Sequence, residues 1–436
     1  MLQAVSNAFK LPDLRRKIVF TLAILVVYRL AAHIPVPGVN AEALRQVFQQ
    51  NQLLGLFDLF SGGAMQNFTI MSMGVYPFIT AQIVLQLLQP VIPGLEEMAK
   101  EGEAGRDRMS LYTHLLTIPL ALLQAVGQIS ILSQSAIGAG TPIIPFGFSG
   151  PLLLPTVATL LTLTAGTMFA IWLGELIDEQ GIGNGISIII FAGIVAGVPS
   201  SLYQLLQTHF VFNLVAFVLL TIVTVIVIVV IQEGTRRIPV QYGKRVRGRK
   251  MYGGGATHIP LKVNTAGMIP LIFAQSIVTF PAIIAGFFSG TTATKIQNTF
   301  GNQQGFVYWV VYFLLVVFFT YFYTSVMVQN QNLGENLQKN GGFIPGIRPG
   351  RRTQEYINRI VNRITLVGAV FLGAVAILPG IMQVVQRLAL GEAAVSGNPA
   401  LVISSAGLII VVGVVIDTMR QLEAQLTMRN YDGFMR

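Results

Sequence analysis

The chain has 436 residues, of which 53% are hydrophobic and 11% charged, with 28 Lys and Arg against 18 Asp and Glu, a formal net charge of +10. A soluble domain carries roughly 25% charged residues, so this composition cannot cover a water-soluble globule of this size with polar side chains. It has no cysteine, which excludes disulfides, thiolate metal sites and cysteine nucleophiles.

A helix that crosses about 30 Å of hydrocarbon needs about 20 mostly apolar residues. Ten such runs lie near 17–34, 72–93, 111–133, 152–174, 184–204, 211–231, 266–288, 306–328, 362–386 and 400–419. They are long and do not alternate polar with apolar residues, so they read as helices and not as barrel strands. The first follows Arg15, Arg16 and Lys17 and ends in His33-Ile34-Pro35-Val36-Pro37. Nothing there has the small-residue pattern of a cleavage site, so it reads as a retained span. Leu53 to Ile70 is amphipathic, broken at Gly62-Gly63, and carries Asp58. Two readings stand for it: an interfacial loop, or a short helix tucked back into a cavity where irregular backbone is tolerated.

The basic residues orient the spans. With both termini inside, the inner segments hold 24 of the 28 Lys and Arg, and the outer segments hold Arg45, Lys295 and Arg387. Arg29, near the outer end of the first span, can snorkel to the interface. The split predicts an even span count with both termini in the cytoplasm. Five spans lie before the connection Pro199 to Asn213 and five after it, dividing the chain into residues 1–205 and 206–436. An odd number per half makes the second half enter from the opposite face, so any repeat between halves is inverted.

Two inner loops, about 232–264 and 330–361, hold 13 of the 28 Lys and Arg. Eight basic residues fall between Arg236 and Lys262, interleaved with Tyr242 and Tyr252. Plain positive-inside bias, a nucleic-acid contact and a docking arm are the competing readings. The loop is longer than topology needs, which favours docking. In the second loop Gly341 to Gly350 mixes prolines with glycines and presents Arg348 at a tip. Anionic lipid headgroups suit the same charge.

Catalytic chemistry has little to work with. No Asp or Glu lies mid-span, and His33, His114, His209 and His258 lack metal-ligand spacing. The chain therefore reads as a non-enzyme with no cofactor and no metal. Gly181-Ile-Gly-Asn-Gly185 lacks the preceding strand and the Lys-Ser/Thr of a phosphate loop. It reads as a tight turn at the inner boundary, with Asn184 or Ser187 placed to cap the fifth span. An ion-coupled carrier needs ionisable groups at mid-membrane, and none is offered. Val75 and Ile79 share one helix face, as do Ile186 and Ile190. These residues either pack the core or, where such faces line a path, form a constriction that resists ions by dewetting.

Five blocks stand in order along the chain: Phe60-Ser-Gly-Gly-Ala64, Glu101-Gly-Glu-Ala-Gly-Arg106, Gly181-Ile-Gly-Asn-Gly-Ile-Ser187, Pro260-Leu-Lys-Val-Asn264 and Pro345-Gly-Ile-Arg-Pro-Gly350. With them the chain resembles, along nearly its whole length, the SecY family of bacterial protein-conducting channels. The resemblance implies an all-α integral membrane protein of the bacterial plasma membrane. Its ten transmembrane helices would form two inverted five-helix halves around a central pore, with a re-entrant plug helix. It places a pore ring on Val75, Ile79, Ile186, Ile190, Ile272 and Ile410, where the family usually has Ile at the first position. It places the plug on Phe57, Asp58, Leu59, Phe60, Ser61, Gly62, Gly63, Ala64, Met65, Gln66 and Asn67. A lateral gate is expected between the second and third spans and the seventh and eighth, with Thr80, Gln82, Gln275 and Ser276 as polar gate residues. Docking of the SecA ATPase and the ribosome would fall on Arg236, Arg237, Lys244, Arg245, Arg247, Arg249, Lys250, Arg348, Arg351 and Arg352. Implied partners are the small membrane subunits SecE and SecG, signal peptides and unfolded preproteins. A small-solute transporter and a factor that only docks ribosomes are the alternatives to a channel.

Overall fold

Long apolar runs leave the backbone no solvent to bond with, so in a membrane each must satisfy its own amides as a helix. In the computed structural model, each of the ten expected spans falls on a helix among the described residues. The structure describes residues 11–40, 43–44, 64–65, 67–137, 144, 146–147, 150–207, 211–242, 245–247, 250–252, 255–285, 288, 290–300, 305–331, 333–378, 380–381 and 405–434.

In chain order the helices are α1 (Pro12–Ala31), α2 (Tyr76–Leu88), α3 (Pro93–Lys100), α4 (Glu103–Ile137), α5 (Leu153–Gln180), α6 (Gly185–Gln207) and α7 (Val211–Glu233). After four short strands come α8 (Ile269–Ala285), α9 (Thr291–Phe300), α10 (Phe306–Gln331), α11 (Leu333–Lys339), α12 (Arg351–Ala376) and α13 (Ser405–Phe434). Four stretches among the described residues, Glu103–Ser130, Gly150–Gln180, Phe306–Lys339 and Arg351–Ala376, are long and apolar enough to cross a membrane by length and composition. The apolar helices Tyr76–Leu88, Gly185–Pro199, Thr221–Glu233 and Ile269–Ala285 are shorter.

Several boundaries differ from the sequence expectation, three of them informatively. The second span is helical only from Tyr76, because residues 70–75 are turns and Gly74 sits at φ +51°. The ninth begins at Arg351, well before the expected 362, and the tenth runs on to Phe434.

One large apolar cluster joins the membrane helices, including Tyr28 of α1, Ile79 of α2, Ile129 of α4, Leu163 of α5, Ile190 of α6, Phe273 of α8, Val316 of α10, Leu372 of α12 and Ile410 of α13. Close helix contact depends on small residues: a Cβ on Gly166 of α5 would collide with the backbone oxygen of Ile70.

The expectation of an all-helical chain holds for the membrane part and fails in the basic loops. Strands β1 (Thr235–Tyr242), β2 (Arg245–Arg247), β3 (Lys250–Tyr252) and β4 (Ala256–Lys262) follow α7, and β5 (Gly342–Phe343) follows α11. β1 pairs antiparallel with β4, Thr235 opposite Lys262 and Gln241 opposite Ala256. β5 pairs antiparallel on the other edge of β1, Gln241 opposite Phe343. β2 and β3 form a separate two-stranded ribbon. The two loops, about a hundred residues apart in sequence, are thus one sheet. Ile238 and Val240 of β1 turn inward, while Arg236, Arg237 and Pro239 face out, the period-two pattern of a half-buried strand. The inward face seats against Leu337, Ile344, Ile357, Ile360 and Val361, and against Val328 of α10. A second, smaller core therefore ties both basic loops to the ends of α10 and α12.

Candidate functional site

The six expected ring residues lie in a single apolar environment. Val75 (0% exposed), Ile79 (5%), Ile190 (3%), Ile272 (7%) and Ile410 (1%) are all buried. They belong to one cluster, and Ile186, half-buried, packs against it. Ala64 and Met65, at the end of the expected plug, are fully buried in the same cluster. The amide of Phe68 donates to the backbone oxygen of Met65 at 3.0 Å, and that of Thr69 to Ala64 at 3.1 Å. Asn67 is exposed. Phe57, Asp58, Leu59, Phe60, Ser61, Gly62, Gly63 and Gln66 lie outside the described residues.

The chain just beyond is pinned from the C-terminal end of α1. Val36 donates to the backbone oxygen of Phe68, and Ile70 donates to that of Ile34, both at 3.0 Å. These bonds close an antiparallel bridge between Pro35 and Thr69. It holds the residues that lead into Val75 and α2.

Helices α2, α4, α8 and α10 form a seam. On one side, α2 packs on α4, and Gln124 Nε2 donates to Thr80 Oγ1 at 3.1 Å. Nearer the N-terminal end of α4, His114 Nε2 lies 3.0 Å from Glu175 Oε1 of α5, and the His114 ring rests against Phe78 of α2 with centroids 5.5 Å apart. On the other side, Gln275 Nε2 of α8 donates to the Tyr308 hydroxyl of α10 at 2.9 Å. Phe273 meets Phe319 and Tyr323 of α10 edge-on, at 6.0 and 6.2 Å. Across the seam, the Tyr76 hydroxyl of α2 donates to the backbone oxygen of Ser276 at 3.3 Å and lies 3.0 Å from Thr279 Oγ1. Thr279 itself bonds the backbone oxygens of Gln275 and Ser276, each at 3.0 Å.

Three of the four polar residues expected at a gate, Thr80, Gln275 and Ser276, are thus part of this seam. Gln82 is half-buried on the same helix, away from these bonds. Tyr76, Thr279, Gln124 and Tyr308 escaped the sequence reading. The signal for them was polar residues recurring at helical spacing on otherwise apolar helices.

The basic residues divide by element. Arg236 and Arg237 are exposed on β1, and Arg348 is exposed in the turn between β5 and α12. Arg351 and Arg352, expected in a loop, form the first turn of α12, after Gly350 at φ +98°. Arg351 pairs with Glu355 at 3.2 Å. Arg245, Arg247 and Lys250 lie in the β2–β3 ribbon, while Lys244 and Arg249 fall outside the described residues. The platform is therefore a folded surface that exposes Arg236, Arg237, Arg348, Arg351 and Arg352, seated on the ends of two membrane helices.

Val75 and Tyr76 adjoin in the chain, so the apolar cluster that holds the expected ring residues lies next to the bond that joins α2 to α8. A family profile described as SecY matches residues 69–419. The chain belongs to the SecY family. It is 42% identical over 446 residues to the protein translocase subunit SecY of Streptomyces coelicolor, covering 100% of both chains. It is 45% identical over 449 residues to that of Halalkalibacterium halodurans, again over 100% of both. Among solved structures it resembles a protein-conducting channel at TM-score 0.63 and 18% identity, over 96% of each chain. It also resembles a structure of SecY whose plug domain is described as stabilising the closed channel and maintaining a membrane seal, at TM-score 0.62 and 18% identity over 96% of each chain. At that identity the likeness speaks for the fold alone, shared over 96% of each chain.

Proposed function

We propose that this chain is a protein-conducting channel. It passes unfolded secretory polypeptides across the plasma membrane of a bacterium and releases transmembrane segments sideways into lipid. The observation that carries the reading is the seam: two helix pairs, each tied within itself by side-chain bonds, meet through the hydroxyl of Tyr76 on Ser276 and Thr279, beside a buried ring with no charged member.

An extended chain carries unsatisfied amides and cannot enter lipid alone. A path walled by apolar side chains offers few groups to grip it, so sequences of many kinds slide through. Val75, Ile79, Ile186, Ile190, Ile272 and Ile410 form the constriction, and closely fitting β-branched side chains exclude ions by dewetting. The segment 57–67 is the plug that adds to the seal when the channel is idle. Parting the α2–α4 side from the α8–α10 side exposes the passing chain to lipid, where a sufficiently apolar segment partitions out on the same scale that governs any membrane helix. Residues 1–205 and 206–436 are the two inverted halves, ten crossings in all, with both termini in the cytoplasm.

The exposed Arg236, Arg237, Arg348, Arg351 and Arg352, with Lys244, Arg245, Arg247, Arg249 and Lys250, form the docking surface for the SecA ATPase and the ribosome. A Sec61 channel with the same fold has been solved in a canine ribosome–channel complex. SecE and SecG are its membrane partners, and anionic lipids line its inner rim. The chain performs no catalysis of its own, so energy comes from the docked motor, from synthesis or from the membrane potential.

The test is import of a purified preprotein into vesicles holding the chain with its partner subunits, the motor and ATP. Protease-protected preprotein is the expected result. Saturable counterflow of a metabolite without preprotein import would establish a solute transporter instead.

A further inference from the structure

Three helices converge on the short turn that joins α5 to α6. The amide of Ile182 donates to Thr21 Oγ1 of α1 at 3.3 Å, and that of Gly183 to Gln421 Oε1 of α13 at 2.8 Å. The amide of Gly185 donates to Asp178 Oδ1, on the last turns of α5, at 2.8 Å. Asn184 Oδ1 caps the helix by accepting from Ser187 at 3.0 Å, which settles the choice of capping residue. A helix start leaves its first amides without partners; Asp178 takes the one at Gly185, while Thr21 and Gln421 hold the amides of the turn that leads into it, at Ile182 and Gly183. The turn also has no slack. Gly183 sits at φ +90°, and a Cβ there would meet Ile188 Cδ1 at 2.6 Å and Thr418 Oγ1 of α13 at 3.1 Å.

Directly after this turn come Ile186 and, one helical turn on, Ile190. Ile186 is the only half-buried member of the ring among the described residues, so its seat owes least to packing and most to the backbone that carries it. On α13, Ile410 and Gln421 stand roughly three turns apart on one face. The same face therefore presents one ring residue and fixes the turn that carries two others.

We propose that Thr21, Asp178 and Gln421 are positioning residues for the constriction. They hold the start of α6 so that Ile186 and Ile190 close against Ile410 in the idle channel. The proposal rests on the ring reading given above. Asp178 acts as the acceptor for the first amide of α6, at Gly185. A released acceptor lets the first turn of α6 drift, and a small shift of two isoleucines is enough to wet a narrow apolar ring.

The experiment is ion conductance of the full channel complex in planar bilayers, without substrate. Asp178→Leu and Thr21→Val remove the acceptor at nearly constant size, whereas Asp178→Asn and Thr21→Ser keep an oxygen in place. The first pair is expected to raise idle conductance about 5-fold, the population change that one net hydrogen bond supports. The second pair is expected to stay at the wild-type level. Wild-type conductance in Asp178→Leu and Thr21→Val would overturn the proposal, and so would an equal rise in the conservative pair. Should the buried Thr21→Val fail to insert, Gln421→Leu against Gln421→Glu, at the exposed end of the network, makes the same comparison. Ile190→Ser is run alongside. If it leaks and Asp178→Leu does not, the positioning role falls and the ring stands; if neither leaks, the ring reading falls and takes the proposal with it.

Discussion

The hydroxyl of Tyr76 offers the sharpest perturbation of the seam, because Tyr76→Phe removes one oxygen and leaves the ring that packs. That oxygen donates across the seam to Ser276 and lies beside Thr279. Its loss creates no orphan on the far side, because Thr279 keeps its own bonds to the backbone of Gln275 and Ser276. The cost is therefore the net value of a hydrogen bond, ~1 kcal/mol, and not the full desolvation penalty of a stranded buried group. If this bond exists only when the seam is shut, the open fraction rises about 5-fold. Ser276 makes a suitable reporter. It is 3% exposed, its hydroxyl has no hydrogen-bond partner among the described residues, and cysteine replaces it with little change in shape. In a chain with no other cysteine, the maleimide labelling rate of Ser276→Cys reads the open fraction directly. Adding Tyr76→Phe should speed labelling about 5-fold in the idle complex. A rate unchanged within twofold would refute the idea that this bond fastens the gate.

Four further outcomes follow from the same geometry. Ile79→Ser with Ile190→Ser should raise idle conductance in planar bilayers, since a polar ring wets more readily; equality with wild type would remove both residues from the constriction. Arg348→Glu should slow motor-driven import at least about tenfold through like-charge repulsion while leaving the circular dichroism unchanged, because Arg348 is exposed in a turn; an unchanged import rate would clear that turn of a docking role. Val240→Ala, at a fully buried position of the platform core, should cost ~2 kcal/mol locally. Hydrogen exchange in β1 should then quicken by roughly 30-fold, and unchanged exchange would mean the loops are not one folded unit. Gly166→Ala drives a Cβ into the backbone oxygen of Ile70 and should lower the melting temperature of the solubilised complex; an unaltered transition would show that the contact relaxes freely.

The membrane helices were legible because hydrocarbon thickness writes itself into composition: a run of about 20 apolar residues matches the depth of a bilayer and little else. Their ends were less legible. Helix α12 starts at Arg351, inside what reads as a polar loop, because its first turns bury Ile357, Ile360 and Val361 in the second, smaller core while Arg351, Arg352, Glu355 and Arg359 stay exposed. That core was invisible to a reading that sought only continuous apolar runs, although the alternation Ile238, Val240, Tyr242 carried the strand signal. The residues that bond along the seam were half legible. Thr80, Gln275 and Ser276 stood out as polar residues in apolar helices. Tyr76 looked like one more aromatic in the core, and its partner Thr279 lies 203 residues away, a pairing that no local pattern encodes. The turn after α5 read correctly as a turn that Asn184 caps, but its partners Thr21 and Gln421 come from opposite ends of the chain.

The most direct test of the central claim uses the missing cysteines. A single cysteine is placed at Ile79, or separately at Ile190, in the otherwise cysteine-free chain. The chain is reconstituted with its partners, and a secretory substrate carrying one cysteine is stalled midway. The account predicts a disulfide that forms at both ring positions and shifts with the position of the cysteine in the substrate. A stalled substrate that cross-links at neither position would contradict it and place the path of the polypeptide elsewhere.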